Sequence, residues 1–358
     1  MSENRFHTTV TERGSFRSCR RRWYYETQEN LIHKGRVQWA LIFGEAIHKG
    51  LEAYYKSNTR SVTDAHAAYL AQWKTEYDRL YDLYRGLFDY GIEEEWEMYE
   101  EKGLRMLAYY DVYDRQFPFW DEVLEINIEE RSFVEILSPA GRAANLYPTE
   151  GKPLLSGRID LVVKRKDGIW IVDHKTAQST YDARALDVDD QLTGYCYIYW
   201  RLTGEIPRGA IYNALIKEPP GPPRVLKDGS LSRDKAQRTT YDLYLEAIRE
   251  NHLVIEDYTE ILDYLQDKGW HQFFVRDTVQ RNIEELESFE DRLYAEYQDM
   301  ELALRNEMNR YPNPSQFNCP ACPIVPLCQT HEEKGDVDYL IREMYEVGEP
   351  RVKIPEGV

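Results

Sequence analysis

The sequence has 358 residues, of which 42% are hydrophobic and 13% aromatic, which supplies a packed core and excludes wholesale disorder. It contains no apolar run long enough for a transmembrane helix, and its first residues lack the apolar stretch of a signal peptide, so we expect a cytoplasmic protein without a membrane partner. Its 45 basic and 63 acidic residues give a formal net charge of −18, which taken alone argues against a nucleic-acid partner.

The negative charge is concentrated in two parts of the chain. Residues 89–135 contain 15 acidic and 4 basic residues, and residues 282–358 contain 17 acidic and 7 basic residues. The remainder is close to neutral and contains basic groups at Arg17–Arg22, Lys164–Lys166 and Arg224–Arg238. The net charge therefore does not exclude a nucleic-acid partner. The uneven distribution also argues against a protein whose whole acidic surface mimics DNA.

The first third of the chain has mainly helical periodicity. A short basic helix is predicted over 15–28, opened by Ser15, and a second helix over 38–56. The second helix carries apolar and aromatic residues at helical spacing: Ile47, Leu51, Tyr54 and Tyr55. Long, Tyr-rich and mostly acidic helices are predicted over 63–116.

The periodicity changes to that of strands near residue 123. The segments VLEINIEERSFVEIL, LLSGRIDLVVKR and IWIVDHKT are predicted as three strands, the last two joined by a turn at Asp167-Gly168. A helix over 188–202 and a strand over 208–217 follow, and further helices are predicted over 239–267 and 277–309. The core order of helix, three strands, helix and strand (αβββαβ) predicts an α/β (α+β) fold.

The predicted hairpin brings two carboxylates and a lysine together. A turn at Asp167-Gly168 pairs Asp160 with Lys175 and places Asp160, Asp173 and Lys175 on one face of the sheet. The two aspartates are then diagonal neighbours, about 7–8 Å apart at the backbone. Such a pair can bind one divalent cation, with Lys175 orienting a water molecule or stabilising charge. The alternative is a surface ion pair, which the strongly apolar strand before Asp173 disfavours.

Two predicted helices contribute further polar residues. His48 lies beside the apolar stripe of its helix, one turn after Gly44, which permits close approach of another backbone. Gln191 and Tyr195 are four residues apart and therefore face the same way. Taken singly, each of these residues is typical of an ordinary helix.

Together these residues resemble the RecB-like exonuclease branch of the PD-(D/E)XK nuclease superfamily over roughly residues 38–217. Its motifs G-x-x-x-H, G-x-x-D, (D/E)-x-K and Q-x-x-x-Y correspond to Gly44–His48, Gly157–Asp160, Asp173–Lys175 and Gln191–Tyr195. The resemblance implies a restriction-endonuclease-like fold with a mixed central sheet, a helical insertion and C-terminal helices.

The resemblance also implies roles for these residues. Three side chains and one main-chain carbonyl would bind Mg²⁺ or Mn²⁺: His48, Asp160, Asp173 and the carbonyl of His174. Lys175 would act on the attacking water, and Gln191 and Tyr195 would support the lysine and contact the DNA strand.

The cysteines suggest a second cofactor. Cys196 falls on an apolar helix stripe and is predicted to be a buried core thiol. The other four thiolates suit a [4Fe–4S] cluster or a zinc ion, and an odd cysteine count argues against a disulfide framework. One distant cysteine followed by three close ones is similar to iron–sulfur nucleases of the AddB type and to CRISPR-associated RecB-like exonucleases. This resemblance assigns an iron–sulfur clasp to Cys19, Cys319, Cys322 and Cys328, with zinc as the second choice.

The expected function is metal-dependent hydrolysis of DNA by an exonuclease acting on single-stranded ends. The alternative is a nuclease-fold protein that binds DNA ends for a partner in a CRISPR adaptation or recombination complex, with weak or accessory catalysis. Five segments are expected: a basic N-terminal helix (1–37), the nuclease core (38–60 and 119–217), an acidic helical insertion (61–118), a basic loop and helical region (218–310) and a cysteine-rich segment with a C-terminal tail (311–358).

Overall fold

The computed structural model describes residues 6–83, 92–125, 132–138, 153–179 and 182–349. The α-helices in these ranges are α1 (Val10–Ser18), α2 (Arg20–Trp23), α3 (Trp39–Lys56), α4 (Val62–Leu83), α5 (Ile92–Gln116), α6 (Arg184–Asp187), α7 (Asp190–Thr203), α8 (Tyr241–Glu250), α9 (Thr259–Lys268), α10 (Ile283–Arg305), α11 (Val325–Glu332) and α12 (Val337–Met344). The strands are β1 (His7–Thr9), β2 (Leu31–His33), β3 (Glu122–Glu125), β4 (Ser132–Glu135), β5 (Leu154–Gly157), β6 (Leu161–Arg165), β7 (Gly168–Ala177), β8 (Gly209–Ile216), β9 (Phe274–Gln280) and β10 (Tyr345–Val347).

A mixed five-stranded sheet forms the centre of the fold, with the strand order β3-β6-β7-β8-β9. Strands β7 and β8 are parallel, and the other neighbouring pairs are antiparallel. A parallel pair needs a crossover connection, which α7 supplies between β7 and β8. Helix α3, strands β3, β6 and β7, helix α7 and strand β8 occur in the predicted αβββαβ order. The predicted α/β fold class with a mixed central sheet is therefore confirmed.

The fifth strand of this sheet departs from the prediction. The sequence predicts a helix over 277–309, but β9 extends to Gln280 and pairs antiparallel with β8. Valine and threonine residues within β9 favour a strand, because branched side chains pack well on a pleated surface. Helix α10 begins only at Ile283, after a capping box between Asn282 and Glu285.

Two segments that are predicted as single strands each divide between two sheets. In LLSGRIDLVVKR, β5 pairs with β1 and β4 in a three-stranded sheet, whereas β6 belongs to the central sheet. Residues 158–160 between them are outside both strands. The segment predicted as a strand from residue 123 likewise contains β3 in the central sheet and β4 in the smaller one, and its residues 126–131 lie outside the described residues. Asp160 is thus placed where the chain enters the central sheet.

The hairpin between β6 and β7 turns at Lys166-Asp167, so the predicted turn at Asp167-Gly168 is wrong by one residue. The side chain of Asp167 accepts a hydrogen bond from Nε1 of Trp170 at 3.0 Å, which holds this turn in place. Leu161 pairs with Val172, a register that differs from the predicted one by two residues. Because side chains alternate with a period of two, this shift preserves the face of every residue. The predicted pairing of Asp160 with Lys175 is wrong, because Asp160 lies outside β6, whereas Asp173 and Lys175 share one face of β7.

Helices cover both faces of the central sheet. On one face, α3, α4 and α5 pack against alternate sheet residues, including Leu161, Trp170 and Val172. On the other face, α7 and α10 pack against the intervening residues, such as Val162 and Ile171. Helices α4 and α5 thus share a hydrophobic core with α3 and the sheet. The boundaries 61–118 for an insertion remain a prediction.

The N-terminal helical region begins earlier than predicted and is interrupted. Helix α1 starts five residues before Ser15 and is capped by Thr9, whose hydroxyl accepts the main-chain N–H of Glu12 at 2.9 Å. Cys19 has an extended conformation between α1 and α2, and a π-helix follows over Tyr24–Gln28. Cys19 therefore lies at a break between two helices instead of inside one helix.

Within the described ranges, no helix combines the length and the apolar character that crossing a membrane would require.

Candidate active site

Asp160 is held at the start of β6 by groups from two other elements. Its Oδ2 accepts a hydrogen bond from the main-chain N–H of His174 at 2.8 Å, and its Oδ1 lies 3.1 Å from Nδ1 of His48. Its burial alone would raise the pKa, but the imidazole of His48 and the hydrogen bonds from both histidines hold the pKa of Asp160 well below its usual range. The Asp160 carboxylate therefore stays ionised.

Asp173 and Lys175 project from the same face of β7 and contact each other. Lys175 Nζ donates to Asp173 Oδ1 at 3.0 Å. The other oxygen, Asp173 Oδ2, is buried and has no hydrogen-bond partner within the described part of the chain. Burial and the neighbouring charge of Asp160 raise the pKa of Asp173 to about 6, against the opposing effect of Lys175. Asp173 therefore carries an oxygen that lacks a hydrogen-bond donor.

Lys175 remains a cation in this environment. Burial acts to lower its pKa, but the surrounding acidic groups, Asp173 first among them, and the hydrogen bond to Asp173 together outweigh burial and raise the pKa of Lys175 above its ordinary value. An ammonium group that keeps its proton can donate hydrogen bonds and stabilise negative charge, but it cannot accept a proton from water.

Helix α3 brings His48 to the edge of the sheet. A Cβ atom at Gly44, one turn earlier, would lie 3.3 Å from Oγ1 of Thr176 on β7, so the glycine allows a close approach of helix and strand. His48 then reaches Asp160 from the face opposite to that of Asp173. The predicted G-x-x-x-H pair thus has a packing role as well as a chemical one.

Helix α7 closes the site on the side of Asp173 and Lys175. Gln191 Nε2 donates to the hydroxyl oxygen of Tyr195 at 2.9 Å, so the two residues face the same way as predicted. A Cβ atom at Gly157 would lie 3.1 Å from the Tyr195 ring and 2.7 Å from Ile198, which explains a glycine at this position of β5. Burial and the charge of Asp173 raise the pKa of Tyr195 to about 12. The tyrosine therefore keeps its proton beside the carboxylates.

The side chain of His174 forms a buried contact that sequence reasoning did not identify. The sequence places only its carbonyl at the site, but its imidazole lies on the opposite face of β7 from Asp173 and is 3% exposed. Asn213 Nδ2 donates to His174 Nδ1 at 2.8 Å, and the ring of Tyr55 stacks on the imidazole with centroids 5.6 Å apart. Burial lowers the pKa of His174 to about 3, so the ring is neutral.

The carboxylate oxygens of Asp160 and Asp173 suit a hard divalent cation that the substrate also binds. Mg²⁺ usually takes one or two carboxylates together with water and substrate phosphates, instead of a complete cage of protein ligands. Asp160 is ionised, and Asp173 offers a buried oxygen without a hydrogen-bond partner. Within the described ranges, no group of three or more His, Cys, Asp or Glu side chains could hold a metal ion as placed. The two aspartates are therefore the residues that fit a cation, and His48 contacts Asp160.

Comparison with known families identifies the chain. A family model of the PD-(D/E)XK nuclease superfamily matches residues 7–329, nearly the whole sequence. The chain belongs to the PD-(D/E)XK nuclease superfamily. Membership implies nuclease activity, and nucleases of this superfamily generally use divalent metals such as Mg²⁺ or Mn²⁺. No curated protein matches the sequence.

The nuclease brings its four distant cysteines to one cavity. Cys19, Cys319, Cys322 and Cys328 all line a cavity of about 510 Å³, and all five cysteines of the chain are free thiols. Arg21 Nη1 lies 3.9 Å from the sulfur of Cys328, and burial raises the pKa of Cys322 and Cys328. The four residues line one cavity, but no three of them are placed to hold a metal ion within the described ranges, so their grouping as cluster ligands stays a prediction. Cys196 is fully buried in the core on α7, where a core thiol is predicted.

The basic residues of the N-terminal helices are paired within the nuclease. Arg17 contacts Asp190, Arg20 contacts Asp299, Arg21 contacts Glu332 and Arg22 contacts Glu26. The fully buried Arg13 also contacts Asp190, so two arginines of α1 hold the first residue of α7. These arginines connect the cysteine cavity to the helix that carries Gln191 and Tyr195.

Proposed function

We propose that the protein is a RecB-like exonuclease that hydrolyses single-stranded DNA from its ends. The observation that supports this function is the grouping of four motifs from distant parts of the chain around Asp160 and Asp173. His48 contacts Asp160, Lys175 contacts Asp173, and Gln191 contacts Tyr195 on the helix that packs against the site. The superfamily establishes nuclease activity, while the exonuclease mode and the single-stranded substrate are our proposals.

Each residue then has a defined task in hydrolysis of the phosphodiester bond. Asp160 and Asp173 hold the divalent cation, and a bound cation neutralises the phosphate and polarises its oxygens. His48 and the main chain of His174 orient Asp160, and the His174 carbonyl is proposed as a further ligand. Lys175 keeps its proton, and it therefore orients the attacking water and stabilises the negative charge that develops on the phosphate.

Gln191 and Tyr195 support this arrangement from α7. The hydroxyl of Tyr195 receives a hydrogen bond from Gln191, so its own proton is free to be donated towards the carboxylates or the DNA. Burial and Asp173 raise the pKa of Tyr195 while Lys175 lowers it, so Tyr195 and Lys175 lie close enough to interact. We propose that the pair keeps Lys175 in position and contacts the strand being cleaved.

We further propose that Cys19, Cys319, Cys322 and Cys328 bind a [4Fe–4S] cluster, with zinc as the second choice. Four thiols around one cavity supply the ligand number that both groups require. Such a cluster would fasten the break between α1 and α2 to the C-terminal segment and so close a loop of about 300 residues. A cluster with reduced thiol ligands also suits the cytoplasm, which we propose as the location.

Replacing Cys19 with alanine should lower both the iron content and the thermal stability of the protein. Loss of one ligand weakens the cluster, and loss of the cluster releases the clasp between the two ends of the chain. Visible absorption, iron and zinc analysis and thermal unfolding measure these effects. Cys196→Ala is the matched control, because it removes a core thiol on α7 and should leave the iron content unchanged. Equal iron content in wild type and Cys19→Ala would contradict the assignment.

The mode of cleavage can be tested with four labelled substrates of the same sequence: linear single-stranded DNA, circular single-stranded DNA, blunt duplex DNA and single-stranded RNA. We expect nucleotides to be released from the linear DNA strand in Mg²⁺ or Mn²⁺, while the circle stays intact. Equal cleavage of circle and linear strand would contradict an exonuclease.

Binding of linear single-stranded DNA without cleavage would instead support the alternative function, a DNA-end-binding partner in a CRISPR adaptation or recombination complex. The absence of a group of three metal-binding side chains from the described ranges suits either function, because Mg²⁺ takes its remaining ligands from water and substrate.

A further inference from the structure

A row of three polar side chains crosses the central sheet behind the two aspartates. His174 on β7 is opposite Asn213 on β8, and Asn213 is opposite Arg276 on β9. Directly paired residues lie on the same face of a sheet. Asn213 Nδ2 donates to His174 Nδ1 at 2.8 Å, and Arg276 Nε donates to Asn213 Oδ1 at 2.9 Å. The three side chains therefore form a continuous chain of hydrogen bonds.

The far end of this row is fixed to α5. Arg276 forms an ion pair with Asp114, which is fully buried, and donates to the hydroxyl of Tyr110 at 3.0 Å. Asp114 also accepts hydrogen bonds from Tyr55 and Arg60 at 3.1 and 3.0 Å. A charge held by this many partners in the interior has little freedom to move.

The hydrogen bonds define the orientation of each group in the row. Arg276 Nε can only donate, so the oxygen of the Asn213 amide must point to it and the amide nitrogen must point to His174. A neutral imidazole that accepts at Nδ1 carries its proton on Nε2. The stacked ring of Tyr55 fixes the plane of the imidazole from α3, the helix that also carries His48.

The near end of the row is the main chain of His174, which contacts Asp160. The main-chain N–H of His174 donates to Asp160 Oδ2 at 2.8 Å, and His174 lies between Asp173 and Lys175 in the sequence. We propose that His174 acts through its side chain as a positioning residue: the row from Asp114 fixes the His174 imidazole, and the imidazole fixes the peptide that orients Asp160. This inference rests on the proposed nuclease mechanism and adds residues that the sequence motifs do not contain.

Four single variants of the full-length protein, and the double variant with both His174→Phe and Asn213→Leu, test this role. His174→Phe keeps a ring to stack on Tyr55 but removes the acceptor, and Asn213→Leu removes the donor. His174→Asn keeps an acceptor oxygen near the position of Nδ1. Asp111→Asn is the matched control. Asp111 lies on α5 one turn before Asp114, and it accepts hydrogen bonds from Tyr54 and Arg115, which are not members of the row. Each variant is assayed for cleavage of linear single-stranded DNA, for Mn²⁺ binding by EPR and for folded fraction in urea.

We expect His174→Phe and Asn213→Leu each to lower kcat by about 10- to 100-fold, with little change in KM, the usual effect of removing a group that orients a ligand. The double variant should lower kcat no further than the more damaging of the two single variants does, because His174→Phe and Asn213→Leu remove the same hydrogen bond. Mn²⁺ binding should weaken in parallel, whereas His174→Asn should recover most of kcat and Asp111→Asn should match wild type.

Two results for activity and metal binding, and a third for folding given below, would overturn the role of His174. One is wild-type kcat and Mn²⁺ affinity in His174→Phe, and the other is a loss in His174→Asn as large as in His174→Phe. Failure of the proposed function can be distinguished from failure of this role. If the wild type does not cleave DNA, the Mn²⁺ affinities of the wild type and the variants can still be compared. A loss of kcat explained entirely by a smaller folded fraction would also contradict positioning.

Discussion

Replacing Asp173 with asparagine should lower the rate of DNA cleavage by at least about 10³-fold, equivalent to about 4 kcal/mol of transition-state stabilisation. Asparagine keeps the size of the side chain but removes the negative charge that holds the cation. It also removes the ion pair that holds Lys175 in place. The measurement is nucleotide release from linear single-stranded DNA at saturating Mn²⁺.

The same substitution should stabilise the protein in the absence of divalent cations. The folded-state pKa of Asp173 is raised to about 6, whereas an aspartate in an unfolded chain ionises near pH 4. The folded state therefore holds the proton more tightly, and stability falls as the pH rises from about 4 to about 6. The loss amounts to roughly 3 kcal/mol, and Asp173→Asn does not incur it. Urea unfolding in EDTA should show equal stabilities at pH 4 and a more stable variant at pH 7.

Asp167→Asn provides the control for both effects. Asp167 lies in the turn of the same hairpin, is exposed, accepts a hydrogen bond from Trp170 and lies 3.9 Å from Arg165. The hydrogen bond from Trp170 lowers the pKa of Asp167, so its substitution should leave cleavage unchanged and should not make the protein more stable at pH 7. If Asp173→Asn cleaves DNA at the wild-type rate, or is less stable than wild type at pH 7, then Asp173 serves only as the structural partner of Lys175 in an ion pair.

Replacing Asp114 with alanine should lower the free energy of unfolding by about 3–5 kcal/mol, the usual cost of removing one partner from a buried ion pair. Asp114 is fully buried, and the side chain of its partner Arg276 is only 7% exposed. The substitution would leave a guanidinium in the interior without its carboxylate. It would also leave the hydroxyls of Tyr54 and Tyr55 without their shared acceptor. Urea unfolding at pH 7 measures the loss.

Asp111→Ala on the same helix is the comparison for this effect. Asp111 pairs with Arg115 near the surface, and such pairs contribute between 0 and about 1 kcal/mol. If Asp114→Ala costs no more than Asp111→Ala, helix α5 is an appendage whose contacts do not stabilise the sheet. A large difference would show that the buried contacts of α5 with the central sheet stabilise the fold.

Much of the core fold follows from periodicity in the sequence. Helix α3, strand β7, helix α7 and strand β8 all appear where hydrophobic residues recur with a period near 3.6 or 2. The sequence gives no signal for the break between β5 and β6, because the pattern of side chains is the same in both strands. The change from one sheet to the other depends on packing against α7. Strand β9 is short and directly precedes the acidic helix α10, so the helical pattern obscures it.

The site was predictable where its residues fall into short motifs and unpredictable where they depend on register. Asp173 and Lys175 share one face despite the wrong turn, because side chains alternate along β7, and Asp160 lies beside this strand through its hydrogen bond from the main chain of His174. The contacts of His174 with Asn213, and of Asn213 with Arg276, join residues 39 and 63 positions apart. No local pattern reports such contacts, which arise only when three strands align. The pairing of Arg17, Arg20, Arg21 and Arg22 with acidic partners also required the structure.

Cleavage of labelled linear single-stranded DNA by the purified full-length protein tests the central claim most directly. The assay compares Mg²⁺, Mn²⁺ and EDTA, each with wild type and with Asp173→Asn. We predict nucleotide release by wild type with either metal, none in EDTA, and none above background from the variant. Equal release by wild type and Asp173→Asn, or release that persists in EDTA, would contradict a metal-dependent nuclease site at Asp160 and Asp173.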